Sequence, residues 1–219
     1  APCMNASATV TVSVLSLPDP GIDGSITLCE SGAIQDLFLV LGGSPDVGGN
    51  WTAPGGGAHS GLFDPGSDVT GVYTYTIDVP PPCVSVSSAV TISVQAPPDP
   101  GLSGSELFCV TSPATNLFNS LGGTPDAGGT WSAPGGGVFS GIFAPGTSTP
   151  GTYTYTATGT APCLNASTTV DVVVTSEPDP GAPGVLALCA TAAATDLFGS
   201  IGGTPDLGGT WSAPGGAAH

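Results

Sequence analysis

The sequence predicts an all-β chain of tandem two-sheet sandwiches, and three observations carry that expectation. Every landmark recurs at a step of 80 residues, segments of Thr/Val and Tyr/Thr alternate with a period of two, and Gly and Pro punctuate the chain between them. The cysteines stand at 3, 29, 83, 109, 163 and 189, so Cys3, Cys83 and Cys163 form one series and Cys29, Cys109 and Cys189 another. Trp51, Trp131 and Trp211 keep the same step, as do Asp19, Asp99 and Asp179. No insertion breaks the register, so the chain reads as copies of one 80-residue unit.

The elements of a unit follow in order. Pro18-Asp19-Pro20-Gly21 and its copies at Pro98 and Pro178 mark the boundaries, because two prolines in four residues suit a short stiff connection better than a strand interior. Cutting there leaves the C-terminal strand of a preceding unit at 1–17, full units at 18–97 and 98–177, and the first half of another at 178–219. The chain is therefore expected to be a window on a longer protein. Ile26-Thr27-Leu28 opens the unit as a strand. Leu37, Phe38 and Leu41 then fit one helical turn, with Asp36, Asn116 or Asp196 as its N-cap. Val72 to Ile77 and Tyr153 to Thr156 read as an aromatic strand preceded by Gly71 or Gly151. Val90, Ile92 and Val94 alternate with polar residues, as do Val10, Val12 and Val14, which marks a strand with one buried face. Short strands, regular turns and one central Trp per unit point to an Ig-like sandwich, with Trp51, Trp131, Trp211, Tyr73 and Tyr153 in the core.

Charge narrows the function. The chain has no Lys or Arg, 16 acidic residues and a formal charge of −16. Phosphate neutralisation on a nucleic acid has no residues to work with, and a basic membrane patch fails for the same reason. No apolar run approaches the roughly 20 residues of a spanning helix. An enzyme is not expected either. His59 has Phe139 at its position in the next unit, and no cation exists to hold an oxyanion or phosphate. His59 and His219 read as turn residues, and Pro54-Gly55-Gly56-Gly57 lacks the Lys of a phosphate cradle.

Six recurring cysteines without Cys-x-x-Cys spacing read as structural disulfides made in an oxidising compartment. One pairing lies inside the unit, Cys29–Cys83 and Cys109–Cys163, with Cys3 and Cys189 bonded outside the window. The other crosses each boundary, as Cys3–Cys29, Cys83–Cys109 and Cys163–Cys189. The first is favoured, because a cross-link between the ends of one small sandwich constrains its own unfolded chain, and the Pro-Asp-Pro-Gly boundary closes that unit. No cofactor is expected. Calcium would find its best candidates in Asp19, Asp99 and Asp179, yet only two acids per unit recur throughout, few for six to eight oxygen ligands. The same Asp residues read more simply as turn formers whose side chains bond nearby backbone.

Asp-Leu-Phe-x-x-Leu-Gly-Gly-x-Pro-Asp-x-Gly-Gly-x-Trp, the Gly-Thr-Tyr-Thr-Tyr-Thr strand at 151–156 and Ala161-Pro162-Cys163 resemble tandem Ig-like or PKD-like repeats of giant Bacteroidota cell-surface proteins. These include adhesins associated with gliding motility and type IX secretion. The resemblance implies export, a surface or extracellular filament, and a role in adhesion or motility, and it carries no catalytic residues. Tyr73-Thr74-Tyr75 stands where an antibody-type domain has Tyr-x-Cys, so the disulfide should lie near the domain end. The expected function is a structural stalk or filament. Its partners are neighbouring repeats of the chain or like subunits, and the target at the tip is left open. The alternative is a carbohydrate- or calcium-binding surface module displayed in several copies, which exposed tryptophans would support.

Overall fold

The computed structural model describes residues 3–215; Ala1, Pro2 and the last four residues, His219 among them, lie outside the described set. In the first copy the strands are β1 (Gly24–Cys29), β2 (Gln35–Asp36), β3 (Asn50–Thr52), β4 (Ala58–His59), β5 (Leu62–Phe63), β6 (Gly71–Ile77) and β7 (Val86–Gln95). The same elements return 80 residues on as β8 (Gly104–Cys109), β9 (Thr115–Asn116), β10 (Thr130–Ser132), β11 (Val138–Phe139), β12 (Ile142–Phe143), β13 (Gly151–Ala157) and β14 (Ala166–Thr175). The expected helical turn is a 3-10 turn at Leu37–Val40 and Leu117–Ser120, capped by Asp36 and Asn116, whose side chains accept the N–H of Phe38 and Phe118.

Each copy folds as an Ig-like sandwich. Its larger sheet has the order β1-β7-β6-β3-β4, matched by β8-β14-β13-β10-β11 in the second copy, and its smaller sheet is β2-β5 or β9-β12. β7 pairs antiparallel with β6, while β1 runs parallel to β7 with Gly24 opposite Val90 and Cys29 opposite Gln95. The alternation read from sequence is what the sheet buries: Tyr73, Tyr75 and Ile77 from β6 and Val90 and Ile92 from β7 turn inward. Leu37 and Phe63 from the smaller layer are fully buried against them. In compactness the described residues divide into two units, one of 3–102 with 123–130 and 155–168, the other of 103–122, 131–154 and 169–215.

Three expectations need correction. Residues 3–17 form no strand, and Val10, Val12 and Val14 are exposed. The matching segment in the first copy is β7, which is held by β6 on one side and β1 on the other; a strand without a partner leaves its backbone groups to water. Residues 178–215 likewise hold no strand, and Trp211 is 39% exposed where Trp51 and Trp131 are 7% and 8% exposed. The ring of Trp51 is covered by Tyr75 at 5.2 Å and by Gly61. His59 is a strand residue rather than a turn residue, opposite Trp51 in the β3–β4 ladder.

Candidate functional site

One disulfide forms among the described residues, and it is neither of the pairings expected. Cys29 is bonded to Cys163, 134 residues away, with Cα atoms 4.9 Å apart. Cys3, Cys83, Cys109 and Cys189 are free. The parallel β1–β7 ladder explains why Cys29–Cys83 fails. Cys29 sits opposite Gln95 at the last residue of β7, whereas Cys83 lies in the loop before Val86, its first. Nine steps of about 3.3 Å put ~30 Å between those ends, and three loop residues cannot close it to the about 7 Å a disulfide tolerates. Cys109 and Cys163 are divided in the same way, at opposite ends of β14. Each copy thus holds one cysteine at either end of its sheet, and the bond takes one from each of two successive copies.

The local structure holds both thiols in place. The N–H of Glu30 donates to Gln95 O at 2.9 Å, fixing the end of β1 to the end of β7, and the Ser31 hydroxyl donates to Cys29 Sγ at 3.3 Å. Cys163 closes its own turn by donating to Thr160 O at 2.9 Å, and its Sγ lies 3.3 Å from Gln95 O. Cys29 is the last residue of β1, and Cys163 lies in the loop before β14. The position of an antibody-type core cysteine is taken by Tyr75, whose ring packs on Trp51 and whose hydroxyl donates to Asp46 O at 2.8 Å. Among the free thiols, hydrogen bonds with the side chain and backbone of Thr111 hold Cys109 below the ordinary thiol value, which favours thiolate.

The calcium candidates are engaged with backbone. Asp19 Oδ1 accepts the N–H of Gly21 at 2.8 Å, and Asp46 Oδ2 accepts the N–H of Asp19 at 2.9 Å. The same two bonds recur for Asp99 with Asp126 and for Asp179 with Asp206. Sequence reasoning found the turn role of Asp19 but not its link to Asp46, although both acids recur in every copy at a constant separation of 27. No group of three or more His, Cys, Asp or Glu comes together among the described residues.

A second feature also escaped the sequence reading. The Tyr73 hydroxyl donates to Val69 O at 2.8 Å and the Tyr153 hydroxyl to Thr149 O at 2.7 Å, the tyrosine corner of Ig-like sandwiches. The signal was present in Tyr-x-Tyr at the start of the aromatic strand. Burial raises the pKa of both phenols, and the Asp68 charge adds to it at Tyr73. His59 lies on the Tyr73 ring at 4.8 Å and 3.5 Å from Asp68, while Phe139 takes the same place on Tyr153 at 4.5 Å. A histidine replaced by phenylalanine in the same slot is a packing element.

No protein-family model matches the chain, and no curated protein does. Solved structures that resemble it include titin domains I67–I69 in an E-to-A mutated variant, at 15% identity and a TM-score of 0.39, covering 77% of this chain and 72% of that one. The titin I-band fragment I67–I69 follows at 14% identity and a TM-score of 0.38, covering 78% and 72%. Extracellular domains 3–5 of Drosophila OTK match at 15% identity and a TM-score of 0.29, covering 78% and 69%. Likenesses this low carry no argument about function, and the fold stands on the sheets described above.

Proposed function

We propose that the chain is a load-bearing segment of an extracellular stalk or filament, part of a bacterial surface adhesin with a role in adhesion or motility. The observation that carries this reading is the Cys29–Cys163 bond, which ties successive copies together instead of closing one. Disulfides of this kind persist outside the reducing cytosol. The rest of the molecule fits a structural part. The two complete copies repeat one core, and side chains offer no Lys or Arg for salt bridges or trypsin cleavage. Uniform negative charge keeps neighbouring stalks apart at low salt. Trp51 and Trp131 are buried in their sandwiches, which counts against a sugar-stacking module. The adhesin assignment draws on the resemblance of the repeat motif, and its test is made on intact cells of the source organism. Antibodies against residues 18–177 should label unbroken cells, and loss of the gene should reduce attachment or surface translocation. Labelling confined to lysed cells would overturn the surface placement.

A further inference from the structure

Two of the free cysteines, Cys109 and Cys83, share the local geometry of the bonded ones. Cys109 ends β8 opposite Thr175, as Cys29 ends β1 opposite Gln95. The next N–H, of Val110 or Glu30, donates across to that partner's carbonyl at 2.9 Å in both copies. A turn follows each, with Ser112 donating to Cys109 O at 2.9 Å and Gly32 to Cys29 O at 2.8 Å. Cys83 closes its loop on Pro80 O at 3.3 Å, as Cys163 does on Thr160 O at 2.9 Å. One half of the bonded pair is therefore reproduced by Cys109 and the other half by Cys83.

We propose that Cys109 and Cys83 are open halves of the same inter-copy bond, and that the partner of each is another copy of this 80-residue unit. Cys109 bonds the Cys163-type thiol of the copy that follows, and Cys83 bonds the Cys29-type thiol of the copy that precedes. Each bond spans 134 residues, as Cys29–Cys163 does. Because that span exceeds the 80-residue step, successive bonds overlap, and no boundary between copies is left without a covalent bridge. A stalk tied in this way can lose the packing of one sandwich under load without paying out that copy's full length. Formation needs an oxidant, here a small-molecule disulfide such as glutathione disulfide. One cysteine thiolate attacks it and releases one glutathione thiolate. The second cysteine thiolate then attacks the protein sulfur of the mixed disulfide and expels the other. Two cysteine thiols are oxidised and one glutathione disulfide is reduced, and the two protons the cysteines lose are taken up by the two glutathione thiolates.

The proposal rests on the tandem-module reading but not on the surface placement. In the test, the full chain is lengthened by one copy, residues 98–177 repeated in frame after Glu177. It is oxidised with glutathione disulfide, its remaining thiols are alkylated, and its peptides are mapped by mass spectrometry. Two bonds are expected, Cys29–Cys163 and one from Cys109 to the Cys163-type thiol of the added copy. Limited proteolysis reports separately whether the added copy is folded. A folded added copy with Cys29–Cys163 formed but Cys109 alkylated would overturn the proposal and leave the tandem reading intact. Cys109 joined to Cys163 or Cys83, or loss of Cys29–Cys163 itself, would overturn it as well. In the Cys109→Ser variant the added copy's thiol should become reactive while Cys29–Cys163 persists; its appearance in any other bond would count against the pairing.

Discussion

Residues 178–215 carry nearly the same sequence as the first halves of the two complete copies, and the two regions part company in an instructive way. The turns are the same in all three. Asp179 and Asp206 make the bonds of Asp19 and Asp46, Ala182 bridges Gly202 as Ile22 bridges Gly42, and Asp196 Oδ1 accepts Phe198 N–H at 2.9 Å as Asp36 does for Phe38. The sheet is not. Leu37 and Leu117 are fully buried, whereas Leu197 is 41% exposed, and 184–189 forms no strand where β1 and β8 do. Turn chemistry is written within a few residues or one short loop. A strand is held by distant neighbours, as β1 is by β7 with Gly24 opposite Val90.

The largest expected difference between the regions is covalent. Reducing Cys29–Cys163 reopens a loop of 134 residues, which should cost about 5 kcal/mol in the chain-entropy picture. Denaturant midpoints with and without reductant measure it, and Cys189→Ser, at a free and exposed thiol, should leave the midpoint unchanged. Pulled between its ends, the oxidised chain should also withhold about 450 Å of contour length that reductant releases, since 134 residues span up to ~3.4 Å each. Equal extension in both states would mean that the bond does not carry load.

Next comes the core. Phe63→Ala or Trp51→Ala removes a buried aromatic ring and should cost about 3–5 kcal/mol. Trp211→Ala should cost clearly less, about 1 kcal/mol, because 39% of that residue stays exposed. Equal losses at Trp51 and Trp211 would show that 178–215 packs a core of its own in solution, and the contrast between the regions would break.

How much of this could be read in advance follows the same line between local and distant. The period, the two-residue alternation of β6 and β7, the cap at Asp36 and the burial of Trp51 and Tyr73 were all visible, because each is set by a residue's own type and its near neighbours. The disulfide was misread because its answer lay in strand direction. Nothing in the spacing of the cysteines says that β1 runs parallel to β7, and that one fact sends Cys29 and Cys83 to opposite ends of a sheet. The reciprocal link between Asp19 and Asp46 was missed for a related reason, since it depends on how a loop returns across 27 residues. The sequence points to a turn at His59, whereas the residue lies in the edge strand β4 with its ring against Tyr73, a contact set by a residue 14 positions away.

A smaller effect is expected at the turn that all three copies share. Asp46→Ala removes the acceptor of the Asp19 N–H and should cost about 1 kcal/mol. Asp206→Ala removes the same bond from Asp179 but should not move the main unfolding transition, because no strand depends on it. Amide exchange at Asp19 and Asp179 distinguishes the two: both N–H groups should lose protection locally, and only the first loss should be accompanied by a lower melting temperature.

The smallest effect separates the two complete copies from each other. Tyr73 and Tyr153 both have raised pKa values because burial favours the neutral phenol, and at Tyr73 the Asp68 charge raises it further. With the folded value above the unfolded one of about 10, the stabilising contribution is whole below that pH and is lost as pH rises through the folded value. Alkaline unfolding should therefore accompany the appearance of tyrosinate absorbance. Asp68 has a second task, accepting the Asp64 N–H at 2.7 Å, and in the other copy Ser148 performs it for Ala144 at 3.1 Å. Asp68→Ser thus keeps an acceptor for that turn while removing the charge, together with the Asp68–His59 contact. Tyr73 should then titrate at lower pH, closer to its counterpart Tyr153, with the neutral-pH stability changed by less than ~1 kcal/mol. An unchanged titration would mean that burial alone governs both phenols, and the two copies would be equivalent at this corner.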